Sequence, residues 1–166
     1  MTVRIAIDTP VGTLTLEGDD EALTYIGLPD EAEAVTGSGA QPVSGPVDAD
    51  DLPAPVAAAA AQLKEYFAGQ RDSFDIPLKL KGTDFQREVW LALAEIPYGT
   101  TISYADLARA VGRPRAFRAV GQANGANPLP IVLPCHRVVA SGGRIGGYGG
   151  GLTMKRRLLD LEGVVL

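Results

Sequence analysis

Apolar and polar residues alternate at strand length over the first part of the chain. Three such segments cover residues 3–8, 13–17 and 22–28, separated by turn-forming residues at 9–12 and 18–21. A period of two is typical of strands that bury one face. The pattern predicts a three-stranded antiparallel meander.

This periodicity is lost in the next stretch. Residues 29–54 combine Pro, Gly, Ser and acidic side chains, which predicts a long mobile loop. Pro55 then begins an alanine-rich run that stops before Gly69, as expected for a helix. Residues 74–80 predict a further strand, which is either at a sheet edge or broken because Pro77 has no amide donor. The larger side chains that should pack the helix on the meander are Val56, Leu63, Tyr66 and Phe67.

Helical periodicity dominates the rest of the chain. Gly82 is the predicted boundary between an N-terminal α/β domain with an antiparallel sheet, residues 1–81, and a mostly helical C-terminal domain, residues 82–166. Thr83 and Ser103 each begin a helix with a capping box. The fold class expected for the whole chain is α/β.

The helices of the second domain follow one another closely. The first should bury Trp90 and stop before Pro97. The second is short, and a Gly-Arg-Pro break separates it from a third helix over about residues 115–124. Helix, short turn and helix together are typical of a helix-turn-helix.

The third helix contains mostly small residues, among them Ala119 and Gly121. A helix that reads bases usually carries Arg, Asn or Gln along one face. This one instead permits close approach of its backbone, with Arg113, Arg115 and Arg118 nearby. Such a surface suits sequence-independent binding in the DNA minor groove, with the arginines near phosphates. Tight helix packing is an alternative explanation that is compatible with the first.

Three segments complete the domain. Residues 131–133 are apolar and predict a buried strand. Residues 141–151 are rich in glycine around Tyr148; they lack the ending of a phosphate loop and predict a pocket wall with the tyrosine as lid. Residues 152–162 predict a last helix. The charged residues expected to face solvent on it are Lys155, Arg156 and Arg157.

Composition limits the class of protein. Hydrophobic residues make up 46% and charged residues 21%, which fits a soluble globular protein. No apolar run approaches the roughly 20 residues of a membrane helix, and without a signal-peptide core at the N-terminus we expect a cytoplasmic protein. The net charge of −5 is divided unevenly: residues 1–81 hold five Lys and Arg against fourteen Asp and Glu, and residues 82–166 hold ten against six. The basic half suits an anionic partner, although charge alone is explained as well by an ordinary solvated surface.

Cys135 and His136 are the only cysteine and the only histidine, and they are adjacent. They cannot supply a four-ligand zinc site, so we expect no metal and no cofactor. A reactive cysteine needs a base, and neighbours on a strand point to opposite faces, so contact with His136 requires a turn or a bridging water. Glu162 and Asp160 are both candidates to orient the imidazole. The alternative interpretation is that Cys135 is an inert buried cysteine.

Several motifs within residues 82–163 resemble the O6-alkylguanine-DNA alkyltransferases, also called methylated-DNA–protein-cysteine methyltransferases. The core of the resemblance is PCHRVV at residues 134–139. The other matching motifs are FQ at 85–86, VW at 89–90, IPYG at 96–99, ISY at 102–104, RAVG at 118–121, NP at 127–128 and YGGG at 148–151. The resemblance implies a ribonuclease H-like N-terminal unit and a winged-helix-like C-terminal domain.

The resemblance also implies a single-use DNA-repair reaction. The partner would be double-stranded DNA bearing O6-alkylguanine, with O4-alkylthymine as a second substrate. The damaged base would be flipped out of the duplex, with Arg118 taking its place. Cys135 would attack the alkyl carbon and keep the alkyl group as a thioether.

Other roles follow from the matching positions. His136 would deprotonate Cys135 through a water, with Glu162 rather than Asp160 orienting it, and Tyr104 would donate a proton to the departing guanine. The remaining implied site residues are Asn127, which braces the cysteine segment, Val138 and Tyr148, which line the base pocket, and Arg115, Ala119 and Gly121, which belong to the DNA-binding surface.

We expect a monomer and leave cooperative assembly on DNA open. Two other functions are weighed against the alkyltransferase. A Cys-His hydrolase would turn over, and it normally takes its histidine from elsewhere in the chain, where this sequence has none. A non-enzymatic binder of alkylated DNA, like the alkyltransferase-like proteins, lacks the reactive cysteine that this chain has.

Overall fold

The chain forms two compact units, residues 1–80 and 81–166. The residues described by the structure, a computed structural model, are 2–29, 41–42, 51–149 and 151–166. Most of the loop predicted over residues 29–54 lies outside them. Within the described ranges, no helix has the length and apolar character needed to cross a membrane.

A four-stranded sheet is the centre of the first unit. Its strands are β1 (Val3–Thr9), β2 (Gly12–Gly18), β3 (Leu23–Gly27) and β4 (Gln41–Pro42). The strand order is β3-β2-β1-β4, and β2 pairs antiparallel with both β1 and β3, as the alternating pattern predicts. β4 pairs parallel with β1 and lies within the segment predicted as a loop.

Helix α1 (Ala54–Phe67) packs on this sheet. Val56, Leu63 and Tyr66 are fully buried, as predicted, and the half-buried Phe67 meets Tyr66 edge to face with ring centroids 5.2 Å apart. Gly69 takes a φ of +74° just beyond the helix end, a conformation that glycine adopts without strain.

Of the two forms predicted for residues 74–80, an edge strand or a broken strand, the structure has the broken one. Only one bridge forms there, between Leu23 and Leu78. Leu23 donates its N–H to Pro77 O at 2.8 Å, and Lys79 donates to Leu23 O at 3.1 Å. Pro77 has no amide hydrogen, so the ladder cannot extend from Leu78 toward the residues before Pro77.

The second unit is mainly helical. Its elements are α2 (Asp84–Leu93), β5 (Ile102–Ser103), α3 (Tyr104–Ala110), α4 (Phe117–Gly125), a 3₁₀ turn (Cys135–Arg137), β6 (Val138–Val139) and α5 (Leu152–Leu161). Both predicted capping boxes are present, at Thr83 and Ser103. β5 and β6 form a short parallel pair.

Helices α2, α3 and α4 pack against one another. Trp90, 2% exposed, belongs to the core as expected and donates from Nε1 to Ala123 O at 2.8 Å, which joins α2 to α4. Between α3 and α4 the chain turns at Gly112, whose φ is +73°. The helix-turn-helix predicted from the sequence is therefore formed by α3 and α4, with α4 beginning two residues later than expected.

Candidate active site

The segment before the cysteine is a turn, and the strand predicted over residues 131–133 is wrong. Ile131 has a φ of +74°, in the left-handed region that β-branched residues rarely enter. Pro134, with φ −79° and ψ 68°, is the centre of an inverse γ-turn in which Cys135 N donates to Leu133 O at 2.7 Å. The two prolines flanking the apolar run, Pro130 and Pro134, provide no N–H for a strand ladder.

Asn127 holds this turn in place. Its Nδ2 donates to Leu133 O at 2.7 Å, and its Oδ1 accepts from Leu129 N at 2.9 Å. A strained backbone residue costs about 1–3 kcal/mol and persists only where its surroundings fix it. Ile131 is 1% exposed, so packing and the two Asn127 hydrogen bonds together hold the strained turn.

Cys135 begins the 3₁₀ turn and does not end a strand. Its residue is 6% exposed, so Sγ is nearly enclosed. It lies close enough to Tyr104 and Lys155 for its charge to contribute to the pKa of both side chains, in the upward direction and after the larger effect of burial. Cys135 and His136 thus lie in a turn, which is one of the two alternatives that the sequence left open.

Glu162 is the carboxylate that contacts His136. His136 Nε2 and Glu162 Oε2 are 2.6 Å apart, and both side chains are fully buried. Asp160, the other candidate from spacing, is exposed. Glu162 lies one residue past the end of α5, which brings the last turn of that helix to the 3₁₀ turn.

Arg137 shares this carboxylate. Its Nε donates to Glu162 Oε1 at 2.7 Å and its Nη2 donates to Oε2 at 3.1 Å, while Gly99 N donates to Oε1 at 3.2 Å. Arg137 Nη1 donates to Ile96 O at 2.7 Å. No role for Arg137 follows from the sequence, because only the fold brings residue 137 and residue 162 together.

The other ring nitrogen of His136 is the one available for chemistry. Nδ1 is buried and has no hydrogen-bond partner among the residues that the structure describes. Burial holds the pKa of His136 below its usual value; the contact with Glu162 opposes this, and the charges of Arg137 and Lys155 reinforce it. The imidazole is therefore neutral at pH 7 and suited to accept a proton.

Lys155 is buried, and the prediction that it faces solvent is wrong. Its Nζ donates to Val138 O at 2.7 Å and to Gly147 O at 3.0 Å, which ties the glycine-rich segment to β6. Burial lowers its pKa to about 8. Lys155 and Glu162 stand at helical spacing with the apolar Leu158 and Leu159. This spacing in the sequence could have predicted that Lys155 and Glu162 lie on the buried face of α5.

Tyr104 and the glycine-rich segment form one wall beside Cys135. A Cβ on Gly146 would lie 3.2 Å from Tyr104 Oη, and one on Gly121 would lie 3.8 Å from its ring. Burial raises the pKa of Tyr104, while a backbone hydrogen bond with Gly147 opposes the shift. Tyr104 therefore keeps its proton and is a hydrogen-bond donor. The other two predicted pocket residues differ in exposure: Val138 is fully buried and Tyr148 is half-buried.

The predicted DNA-binding residues lie on or next to α4. Arg115, Arg118 and Ala119 are exposed, and Gly121 is half-buried against Tyr104. Arg113 is held toward α2, with its guanidinium 5.2 Å from the Phe85 ring and 3.4 Å from Glu88. Among the described residues, no group of three His, Cys, Asp or Glu side chains is arranged to hold a metal ion.

Comparison with known families covers both units. Residues 3–80 match the family model described as 6-O-methylguanine DNA methyltransferase, ribonuclease-like domain. Residues 84–164 match the model described as 6-O-methylguanine DNA methyltransferase, DNA binding domain. These matches confirm the α/β fold class and the expected ribonuclease-like and DNA-binding parts.

Individual relatives agree. A methylated-DNA–protein-cysteine methyltransferase of Mycolicibacterium paratuberculosis is 47% identical over 156 residues, covering 94% of this chain and 89% of the relative. The crystal structure of Mycobacterium tuberculosis OGT in complex with DNA has a TM-score of 0.83 and 45% identity, covering 96% of this chain and 91% of that one. A Pyrococcus kodakaraensis O6-methylguanine-DNA methyltransferase structure has a TM-score of 0.68 and 30% identity, covering 99% of this chain and 100% of that one. The buried cysteine site next to a helix-turn-helix agrees with these matches. The chain therefore belongs to the 6-O-methylguanine DNA methyltransferase family.

Proposed function

We propose that this protein repairs DNA by transferring the alkyl group of O6-alkylguanine, once and irreversibly, to Cys135 Sγ. The observation that carries the proposal is the buried pair His136–Glu162, whose 2.6 Å contact leaves His136 Nδ1 as a bare acceptor one residue from the thiol. The naming of relatives at 45–47% identity as methylated-DNA–protein-cysteine methyltransferases supports the same reaction.

The proposed chemistry is one displacement. The thiol proton passes to His136 Nδ1 through one bridging water, Sγ forms a bond to the alkyl carbon, and the bond from that carbon to guanine O6 breaks. Tyr104 donates its phenolic proton to the guanine as it leaves, and the proton held on His136 then reprotonates the Tyr104 phenolate. A thioether has no leaving path in this site, so each molecule reacts once.

The proposed partner is double-stranded DNA, bound through α4. The exposed Arg115 and Arg118 suit contacts with phosphates and with the space left by a flipped base. The small Ala119 and Gly121 allow the helix backbone to come close to the minor groove. The resolved structure of Mycobacterium tuberculosis OGT with DNA supports this choice of partner.

The test is the mass of the Cys135 peptide after incubation with a duplex containing O6-methylguanine. We expect one added methyl group per molecule, formed in stoichiometric amount, and none in Cys135→Ala. Catalytic turnover without an adduct would instead indicate a hydrolase. Repair retained by Cys135→Ala would refute the role of the cysteine.

Finer features of the function stay predictions from the sequence. They include activity on O4-alkylthymine, pocket-lining roles for Val138 and Tyr148, a monomeric state and a cytoplasmic location. A duplex containing O4-methylthymine in the same mass experiment tests the first of these.

A further inference from the structure

We propose that Arg137 is a positioning residue that holds Glu162 as an ionised acceptor and so keeps His136 in the tautomer that can take a proton only at Nδ1. The inference rests on the proposed transfer to Cys135, because it explains where the thiol proton goes. It assigns a function to a buried arginine that makes no contact with the substrate in that reaction.

The hydrogen-bond pattern around Glu162 carries the argument. Oε1 accepts from Arg137 Nε at 2.7 Å and Gly99 N at 3.2 Å; Oε2 meets Arg137 Nη2 at 3.1 Å and His136 Nε2 at 2.6 Å. A carboxylate has about four acceptor positions, and a carboxylic acid gives one oxygen a proton to donate instead. With donors on both oxygens, a proton on the carboxyl would face a guanidinium or amide hydrogen. Glu162 therefore accepts from His136, and the imidazole hydrogen lies on Nε2.

The guanidinium is itself fixed. Its Nη1 donates to Ile96 O at 2.7 Å, and its Cζ lies 5.6 Å from the centre of the Tyr98 ring. The side chain is 6% exposed, so this bidentate pair is shielded from water. Breaking a buried ion pair is costly because it leaves an uncompensated charge. The contact between Arg137 and Glu162 is therefore stable, and it fixes the position of the carboxylate that binds the ring of His136.

The charge of Arg137 also determines whether the thiol proton stays on His136 or passes to Glu162. The charged or titratable groups that act on His136 are Glu162, Arg137 and Lys155, with Cys135 next to it in the chain. Glu162 favours an imidazolium, and the two cations oppose it. Because Arg137 both neutralises Glu162 and occupies its oxygens, the proton stops on His136 and does not pass to the carboxylate. From there it can restore the phenol of Tyr104.

The test uses the single histidine of the chain, whose ring nitrogens give unambiguous ¹⁵N NMR signals in the full-length protein. In the wild type we expect a proton on Nε2 and none on Nδ1. In Arg137→Met the negative charge of Glu162 is no longer balanced, so the titration midpoint of His136 should move to higher pH. Arg137→Lys keeps the charge and should restore most of the wild-type midpoint. Arg156→Met, which removes an exposed arginine from α5, is the matched control and should leave the midpoint unchanged.

A proton on Nδ1 of the wild-type protein would overturn the inference, and so would an unchanged midpoint in a folded Arg137→Met. If Arg137→Met does not fold, as judged by circular dichroism, the wild-type tautomer still decides. The reaction with the free base O6-benzylguanine gives a second readout: the acidic limb of the rate profile should move with the His136 midpoint, about tenfold in rate per pH unit. A purely structural role would lower the rate equally at every pH.

The two proposals fail separately. If wild-type protein forms no adduct with O6-benzylguanine or with alkylated DNA, the proposed function is wrong, while the NMR result on Arg137 is unaffected. If the wild type reacts and the titration midpoint of His136 does not change in Arg137→Met, only the role of Arg137 is wrong.

Discussion

The second unit carries two groups of charged residues that differ in solvent exposure. The buried group, behind Cys135, consists of His136, Arg137, Lys155 and Glu162, and each has a defined partner at 2.6–3.1 Å. The exposed group, on or next to α4, includes Arg115 and Arg118. Burial makes the first group rigid and costly to disturb, whereas water screens the second and leaves it free to meet a phosphate. In the proposed function, this unit would therefore use charge in two ways: the buried group would position the thiol's proton acceptor, and the exposed group would attract DNA.

The largest effect is expected from breaking the buried group at its centre. Glu162→Ala leaves Arg137 and His136 without their acceptor, so we expect the free energy of unfolding to fall by about 3–5 kcal/mol. Urea denaturation monitored by circular dichroism measures the loss. Asp160→Ala, an exposed carboxylate two residues earlier, should change stability by less than about 0.5 kcal/mol. A loss below 1 kcal/mol in Glu162→Ala would mean that the buried charges are not coupled as the distances indicate.

An intermediate effect is expected on the exposed group. Arg118→Ala should slow methyl transfer from duplex DNA by about tenfold, equivalent to about 1.4 kcal/mol, and should leave the reaction with free O6-benzylguanine nearly unchanged. Single-turnover rates with the two substrates measure the difference, and Arg156→Ala is a control that removes the same charge from α5. An equal loss on both substrates would argue against a role of Arg118 in holding the opened duplex.

The smallest effect separates folding from DNA contact within α4. A Cβ on Gly121 would lie no closer than 3.8 Å to Tyr104, which is ordinary contact. Gly121→Ala should therefore raise stability by about 0.5–1 kcal/mol through helix propensity, yet weaken DNA binding by filling the surface that approaches the groove. Thermal unfolding and duplex titration measure the two effects. Gly125→Ala, at a position with open space around it, should leave DNA binding unchanged.

Local signals in the sequence determined much of the fold. The period-two segments predicted β1 to β3, and the capping boxes at Thr83 and Ser103 predicted where α2 and α3 begin. These features depend on residues within a few positions of one another, which is why they can be read along the chain. The strand predicted across Pro77 is reduced to one bridge, and the strand predicted over residues 131–133 was wrong, because the prolines in and beside these segments supply no amide donors for sheet pairing.

The chemistry of the site divides in the same way. The sequence by itself determined that Cys135 and His136 are adjacent and unique, and that a proline precedes them. It did not determine the turn with a positive φ at Ile131, since that conformation depends on the hydrogen bonds of Asn127 and on packing.

Only the tertiary structure decided which charged residues are buried. Residues 137 and 162 are distant in sequence, and a run such as Lys155-Arg156-Arg157 reads as solvated. The fold instead turns Lys155 toward β6 and the glycine-rich segment, where the carbonyl oxygens of Val138 and Gly147 accept from its amine. Burial is a property of the assembled core, and a charge can enter it only where the fold brings partners to the same place.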